Sequence, residues 1–587
     1  MIVAVDHKDL VMAHDPPPRS SRPLALPRTG LAGLVFLTAA WGAGCDAGAP
    51  PLQSQGLRVL HAALGTCVDN GNGDVAFPPG AERVVVRVTG GDNPAEGVVG
   101  SFTPNDASKG SVVLAGVTPG ENLTVDVVAC AGAQATWAGQ TGGVTVRASE
   151  KSFPTVFLTP LGKTACLGSS HGGLVTMDRG RAFAASARVG RSVYVLGGLD
   201  KYSNRKATAT ATVSVFDAPT AEFVDAGDAS LLEPRALAFA DVTASGDIRV
   251  IGGAKGLVLN VSGRPPVWVR PDQAPACAVE VFDVQTRTGS CEIEGATLPA
   301  APSVVKLGAD DYVAVGGVTV APGDADGWAD SQLRHIHDGV VDSVALSAPT
   351  FGAAVVPLDG DRVLIWGGRF GGDVGSAAQV YTVSGGGVMG LETTGLDEMP
   401  LYGAAQLLEQ QGDVFYVAAA GGTAIKSIRG GTPSFSKSAS QGQLDLIKLD
   451  LAAGTAEVTP LDLGGKEDLF ARAMASMERL SGGDLWWFGG FTSFVHDDVC
   501  PDAPGECLQA SMVRARVEGV GTDSPTVTLV NASAELTQGP FGATPASLGD
   551  GAWLVTAGFY AVGTADPFDL GADLIRYEAP AAGLCAP

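Results

Sequence analysis

The sequence predicts an all-β protein, a seven-bladed β-propeller preceded by a small β-sandwich, and three observations predict it. Seven short apolar strands end in glycine. These strand ends recur at intervals of 55, 64, 51, 54, 68 and 68 residues. Eighty glycines and 36 prolines among 587 residues suit a turn-rich chain of strands. Strand repeats of this period, each closed by glycine, are a signature of sheets arranged radially about an axis.

Residues 1–44 read as an export signal. Arg19, Arg22 and Arg28 supply positive charge ahead of the apolar run from Leu31 to Trp41. That run is too short to cross a bilayer as a stable helix. It leads into Gly42-Ala43-Gly44-Cys45, which resembles the lipobox of bacterial lipoproteins. The resemblance implies a lipid on Cys45 and a cell-envelope location, on the periplasmic or outer-membrane face. Cleavage after Ala47-Gly48-Ala49 is the alternative and would free the protein. Residues 45–56 are small, polar and proline-containing, a composition that makes a tether.

Residues 57–160 lack the glycine period. Strands are expected at Leu57–His61, Arg83–Val88, Ser111–Leu114, Leu123–Val128, Val144–Arg147 and Thr155–Leu158, with Gly/Pro turns between them. Short strands so separated suggest a sandwich. The phrase from Leu114 to Val125 resembles the strand–turn–strand phrase of bacterial immunoglobulin-like modules. A spacer or accessory binding domain is the implied role.

Residues 161–587 carry the repeats. Six strands end in a glycine pair: Gly197-Gly198, Gly252-Gly253, Gly316-Gly317, Gly367-Gly368, Gly421-Gly422 and Gly489-Gly490. The seventh keeps one glycine, Gly558. A strand written apolar-aromatic-Asp follows in several repeats, as in Val213-Ser214-Val215-Phe216-Asp217 and Val279-Glu280-Val281-Phe282-Asp283. Arg181, Arg235 and Arg472 open three of them. These features resemble the Kelch repeat over about 420 residues. Glycine suits a backbone that passes close to a neighbouring sheet and turns out of a strand at positive φ. The apolar residues before each pair are expected to fill the space between blades. The last repeat ends soon after Tyr577, so a segment near Cys166 is expected to supply its outer strand.

Beyond Cys45 there are eight cysteines, an even set that suits disulfides in an oxidising compartment. Sequence order suggests Cys67–Cys130, Cys277–Cys291, Cys500–Cys507 and Cys166–Cys585. The last would lock the closing strand. No CxxC pair exists, which removes zinc-ribbon and thioredoxin-like readings.

Chemistry is sparse. His335 and His337 share a strand face and could meet one metal ion. No third ligand is near them in sequence, so a solvated strand face is the reading and no metal is expected. Asp324, Asp326 and Asp330 are spaced too tightly for a true calcium loop. Gly168-Ser169-Ser170-His171-Gly172 matches a nucleophile-elbow pattern but lacks the flanking strand and helix. No catalytic residue and no cofactor are assigned. A net charge of −24 disfavours nucleic acid and anionic lipid as partners.

Binding is therefore the expected function, through the loops after the glycines. Aromatic and arginine side chains on converging loops suit a protein or glycan at the cell surface. The candidates are Tyr202, Arg205, Trp268, Trp328, Arg369, Phe370, Phe491, Phe494, His496 and Tyr560. The protein is expected to act as a monomer, touching the membrane only through its lipid. A propeller enzyme acting on carbohydrate, a lyase, epimerase or oxidase, is the alternative.

Overall fold

The computed structural model describes residues 2–4, 56–61, 78, 80–103, 111–114, 116–147, 155–162, 164–166, 177 and 179–586, less several internal segments. Those are 204–205, 219–221, 260–268, 320–328, 369–373, 430–431, 436–441, 491–510, 536–541, 559–571 and 577–581, with residues 481, 523, 550 and 557. Among the described residues the chain is all-β. Three short 3-10 turns are its helical elements, and no helix is long and apolar enough to cross a membrane. Most of the segment read as an export signal, nearly all of the segment read as a tether, with Cys45, and also Cys67 and the segment holding Cys500 and Cys507 lie outside the described residues.

The N-terminal region forms an eight-stranded arrangement. Its order is Val98–Phe102, Arg83–Thr89, Gly120–Ala131, Gln134–Val146, Thr155–Pro160, Gly56–His61, Ile2–Ala4 and Ser111–Val113. Alternation drives it: in Arg83–Thr89, Val84, Val86 and Val88 point into one core. The strand Val98–Phe102 and most of the long arm Gln134–Val146 go beyond the strands expected from sequence.

Seven sheets built on one antiparallel plan follow, in some of which a hairpin of another sheet lies between the second and third strands. Sheet I holds Ala185–Val189, Ser192–Leu196, Val213–Asp217 and Glu222–Val224. Sheet II holds Phe239–Val242, Ile248–Ile251, Val279–Asp283 and Thr288–Cys291. Sheet III holds Ser303–Gly308, Asp311–Val315, Asp330–His337 and Val340–Thr350. Sheet IV holds Ala354–Pro357, Arg362–Trp366, Ala378–Thr382 and Gly387–Gly390. Sheet V holds Ala404–Gln411, Val414–Ala420, Leu444–Asp450 and Thr455–Pro460, with Glu392–Thr394 added in parallel on its outer edge. Sheet VI holds Ser476–Arg479, Leu485–Phe488, Ser511–Glu518 and Thr526–Glu535. Sheet VII holds Thr544–Gly549, Ala552–Thr556, Ala572–Arg576 and, from far upstream, Thr164–Cys166. The expectation that a segment near Cys166 completes the last repeat is met.

Second strands read as unbroken apolar runs because both of their faces are buried. In Arg362–Trp366, Val363 and Ile365 belong to the core shared with sheet III, and Leu364 and Trp366 to the core shared with sheet V. A separate apolar cluster fills every successive gap. They join I to II, II to III, III to IV, IV to V, V to VI, and VI to VII. The gap from VII back to I is filled by Ala546, Leu548 and Leu554 against Val193, Val195 and Phe216, and this cluster is continuous with the core of the N-terminal region that holds Val84, Val86 and Val88.

The glycine pair is where successive sheets meet. Gly197 sits at φ +64, and a Cβ there would lie 2.2 Å from the Arg235 carbonyl oxygen of sheet II's entry. The next N–H, of Gly198, donates to that same oxygen at 2.8 Å. The pattern repeats at Gly317 to Thr350, Gly368 to Pro400 and Gly422 to Arg472. The arginine opening three repeats has a matching task. Arg181, Arg235 and Arg472 are fully buried. Each donates from Nη1 to the carbonyl of the first glycine of its own repeat, at 3.2, 3.0 and 3.2 Å. A buried carbonyl left unpaired would cost about 1–3 kcal/mol.

Two of the sequence pairings of cysteine are corrected. Cys277–Cys291 forms as expected. Cys130, however, bonds Cys585, which excludes both Cys67–Cys130 and Cys166–Cys585. The cause is where the C-terminus goes. The turn Ala582–Cys585 leaves sheet VII and packs on Gly120–Ala131 and Gln134–Val146 of the N-terminal region. Cys130 and Cys585 are both fully buried there, with Val85, Val128 and Ala138. Arg83 donates from Nη2 to the Cys585 carbonyl at 2.6 Å.

Candidate functional site

Two places in the molecule have the makings of a site, one at each end of the sheets. The first is the end where the glycine pairs lie. The loop after Gly197-Gly198 forms a hairpin, Leu199–Ser203 and Lys206–Ala209. The loop after Gly252-Gly253 forms Gly256–Leu259 and Val269–Asp272. The two hairpins pair with each other, Lys206 opposite Val258 and Thr208 opposite Gly256, into one four-stranded sheet.

Alternation gives this loop sheet two faces. Leu199, Ala207, Ala209 and Leu257 are buried in a cluster with Ala182, Phe183, Ala236, Ala300, Phe351, Leu401 and Ala473. That cluster draws on sheet entries I to VI, so apolar side chains fill this end where the sheets converge. Lys201, Ser203, Lys206 and Thr208 are exposed. Lys206 pairs with Asp272 across the sheet. Around the cluster Phe183, Leu237, Ala301, Tyr402 and Met474 all adopt positive φ. The N–H groups of Leu237, Tyr402 and Met474 donate to the carbonyls of Phe183, Gly352 and Tyr402 at 2.9, 2.8 and 2.9 Å. The Phe183 N–H donates to Gly542 at 2.7 Å.

Of the ten loop residues expected to bind, Tyr202 alone is described. It is half-buried and packs against the apolar cluster. Arg205, Trp268, Trp328, Arg369, Phe370, Phe491, Phe494, His496 and Tyr560 lie outside the described residues. A second hairpin, Thr423–Arg429 with Thr432–Phe435, follows Gly421-Gly422 and pairs with Pro400–Leu401. Three glycine-pair loops are thus built as sheet.

The second place is at the opposite end, between sheets III and IV. A cleft of about 540 Å³ opens there, lined by Asp310, Asp311, His335, His337, Asp338, Asp342 and Tyr381 among others. Period two puts both histidines on one face of Asp330–His337, their rings 4.3 Å apart. His335 Nε2 lies 2.7 Å from Asp311 Oδ1, and His337 Nε2 lies 2.9 Å from Asp342 Oδ2. His337 Nδ1 is 3.6 Å from Asp338 Oδ2. The bond to Asp342, helped by Asp338, raises the His337 pKa above the usual imidazole value. Tyr381, from sheet IV, is 2% exposed. Burial, then the charges of Asp311, Asp342 and Asp361, pushes its hydroxyl pKa up, so it stays protonated.

Asp310 is held from behind. Arg249 of sheet II donates to it at 2.5 Å and to Glu292 through two further bonds. Among the described residues no three His, Cys, Asp or Glu side chains are grouped to hold a metal ion. The sequence flagged the histidine pair through its spacing. Asp311 arrives from the start of the neighbouring strand Asp311–Val315 and Tyr381 from the next repeat, which no local pattern reveals. Asp330, one of the three closely spaced aspartates, is buried and pairs with Arg334.

No family model matches the chain, and no curated protein matches it. One solved structure, titled "Structure of YjhT", is similar at 16% sequence identity and a TM-score of 0.37. The match covers 60% of this chain and 99% of that one.

Proposed function

We propose that the chain is an exported, seven-bladed propeller of the Kelch kind, carried on an immunoglobulin-like sandwich and lipid-anchored at Cys45. It binds a protein or glycan partner at the cell surface through the end where the glycine pairs lie. Successive apolar cores that lead from sheet I to VII and back to I support the propeller reading. The observation that carries the binding reading is the loop sheet. Two repeats spend their longest-range loop pairing on a polar-faced, four-stranded surface over a solid apolar floor. Loops held by a rigid scaffold are the usual carriers of recognition, and loop sheet lowers the ordering cost of binding.

The test uses the exported protein and isolated cell envelopes, with a glycan array alongside. Saturable binding should be lost when Ser203–Lys206 is replaced by a two-glycine turn and Lys201 by Ala. It should persist when the opposite end is altered. Equal binding by the loop variant, or turnover of an arrayed sugar, overturns the reading. Membrane association unchanged in Cys45→Ala overturns the lipid anchor.

A further inference from the structure

The cleft between sheets III and IV has a composition that the loop-end reading does not use. Its walls offer acceptors and aromatic rings. None of its lining residues is a lysine or an arginine. The donors that histidine could offer a ligand are already engaged, since each Nε2 faces a carboxylate. Each of those carboxylates keeps a second oxygen. Asp338 stands at the rim with its side chain 96% exposed. Tyr381 lines the cleft almost fully buried, and its hydroxyl makes no hydrogen bond to another described residue. A hydroxyl that opens into a cleft without a protein partner is free to bond a ligand.

We infer that this cleft binds an organic cation with an ammonium or guanidinium head. Asp338, Asp342 and the Tyr381 oxygen accept its hydrogen bonds, and the rings of His335 and His337, tilted against each other, form its wall. The chemistry matches on three counts. Excess acceptors need a donor-rich head, which both cations supply. Four lining carboxylates with no lysine or arginine among the lining residues favour positive charge. Aromatic faces accept a cation that has shed part of its water. An anion would meet four carboxylates against one unengaged donor, the Tyr381 hydroxyl, and a metal ion lacks three grouped ligands among the described residues.

His337 makes the site pH-dependent. The groups facing His337 are Asp338, Asp342 and His335 on sheet III, with Asp311 beside His335 and Tyr381 and Asp361 across the cleft. As pH falls through the raised range of His337, its imidazolium places a positive charge against the ligand. Binding should weaken in that direction.

Isothermal titration of the full chain with spermidine, with the peptide acetyl-Gly-Arg-Gly-amide and with its Glu counterpart tests the inference and separates a free polyamine from a basic side chain. Either cation should bind, the Glu peptide should not, and the histidine ring C–H resonances should shift. Asp338→Asn, on an exposed side chain that does not threaten folding, and Asp342→Asn should each weaken binding about tenfold, the loss of one charge-assisted hydrogen bond. His337→Gln should flatten the pH dependence. No saturable binding of either cation, Asp variants that bind like the parent, or zinc chloride binding at this cleft in preference to both would overturn it. The loop-end variants leave this site intact, so the two readings fail separately.

Discussion

Gly197 illustrates how little room one atom can have. Its backbone is left-handed, and a methyl group would sit 2.2 Å from the Arg235 oxygen. Gly132 has nearly the same φ, +59, and a methyl group there would meet nothing within 4 Å. Gly132→Ala should therefore cost about 1 kcal/mol, the left-handed penalty alone. Gly197→Ala should cost roughly 3 kcal/mol or more, since sheet II must also move. Urea unfolding of the pair measures the difference. Asp445 makes a second case. It is 6% exposed, and burial pushes its carboxyl up to about 6. The unfolded chain ionises first as pH rises, while the folded protein still holds the proton. Stability is thus intact below the ordinary carboxylate range and declines as pH climbs to about 6. Asp445→Asn should be more stable than the parent at pH 8 by roughly 2–3 kcal/mol and equal to it near pH 4. Equal midpoints at both pH values would refute this.

Strands were legible where both faces are buried, because Val195-Leu196 or Ile365-Trp366 can only be read one way. The arm Gln134–Val146 was obscured by Gly139, Gly142 and Gly143, which break its apolar alternation while its partner strand holds it extended. The loop sheet was hidden for a different reason. Its two hairpins come from neighbouring repeats, and each strand alone is only four or five residues long. The same holds for the cation cleft, whose histidines show a spacing and whose tyrosine belongs to another sheet. Thr164–Cys166 was visible only as a deficit, the outer strand that sheet VII lacked. Its pairing is testable. Ala165 lies opposite Leu574, and Ala165→Pro removes an N–H from that ladder. Hydrogen exchange should then rise in Ala572–Arg576 while Arg362–Trp366 in sheet IV stays protected. Uniform change across both would contradict an independent seam.

The disulfide Cys130–Cys585 joins the first region of the chain to its last residues, 455 positions apart. Sequence order cannot find such a pair, because it depends on where the C-terminus docks. Three links bracket the same seam. The Gly162 N–H donates to the Arg576 carbonyl at 2.8 Å, and Arg576 donates from Nε to Thr159 Oγ1 at 3.2 Å. Arg83 holds the carbonyl of Cys585. Cys130→Ser with Cys585→Ser should cost up to about 6 kcal/mol by loop entropy. Removing Cys277–Cys291, which closes a short loop, should cost about 3 kcal/mol. Thermal unfolding compares them, and an equal or reversed order would show that the long bridge stabilises nothing beyond its own contacts.

Closing the last sheet with a strand from the front has a consequence for how the molecule is made. Thr164–Cys166 leaves the ribosome about 400 residues before the strand it pairs with. Repeats I to VI can fold in order as they emerge, since each contacts the one before it. The seam cannot. It must wait for the final residues, and pairing over such a separation is slow. Throughout that wait Thr164–Cys166 has no partner strand, and the sheet I side of the closing core, with Val193, Val195 and Phe216, faces solvent, open to strands from other chains. Biogenesis of this protein is therefore most vulnerable in its last step, and a chain shortened by even the few residues that carry Cys585 would meet that step without its fastening.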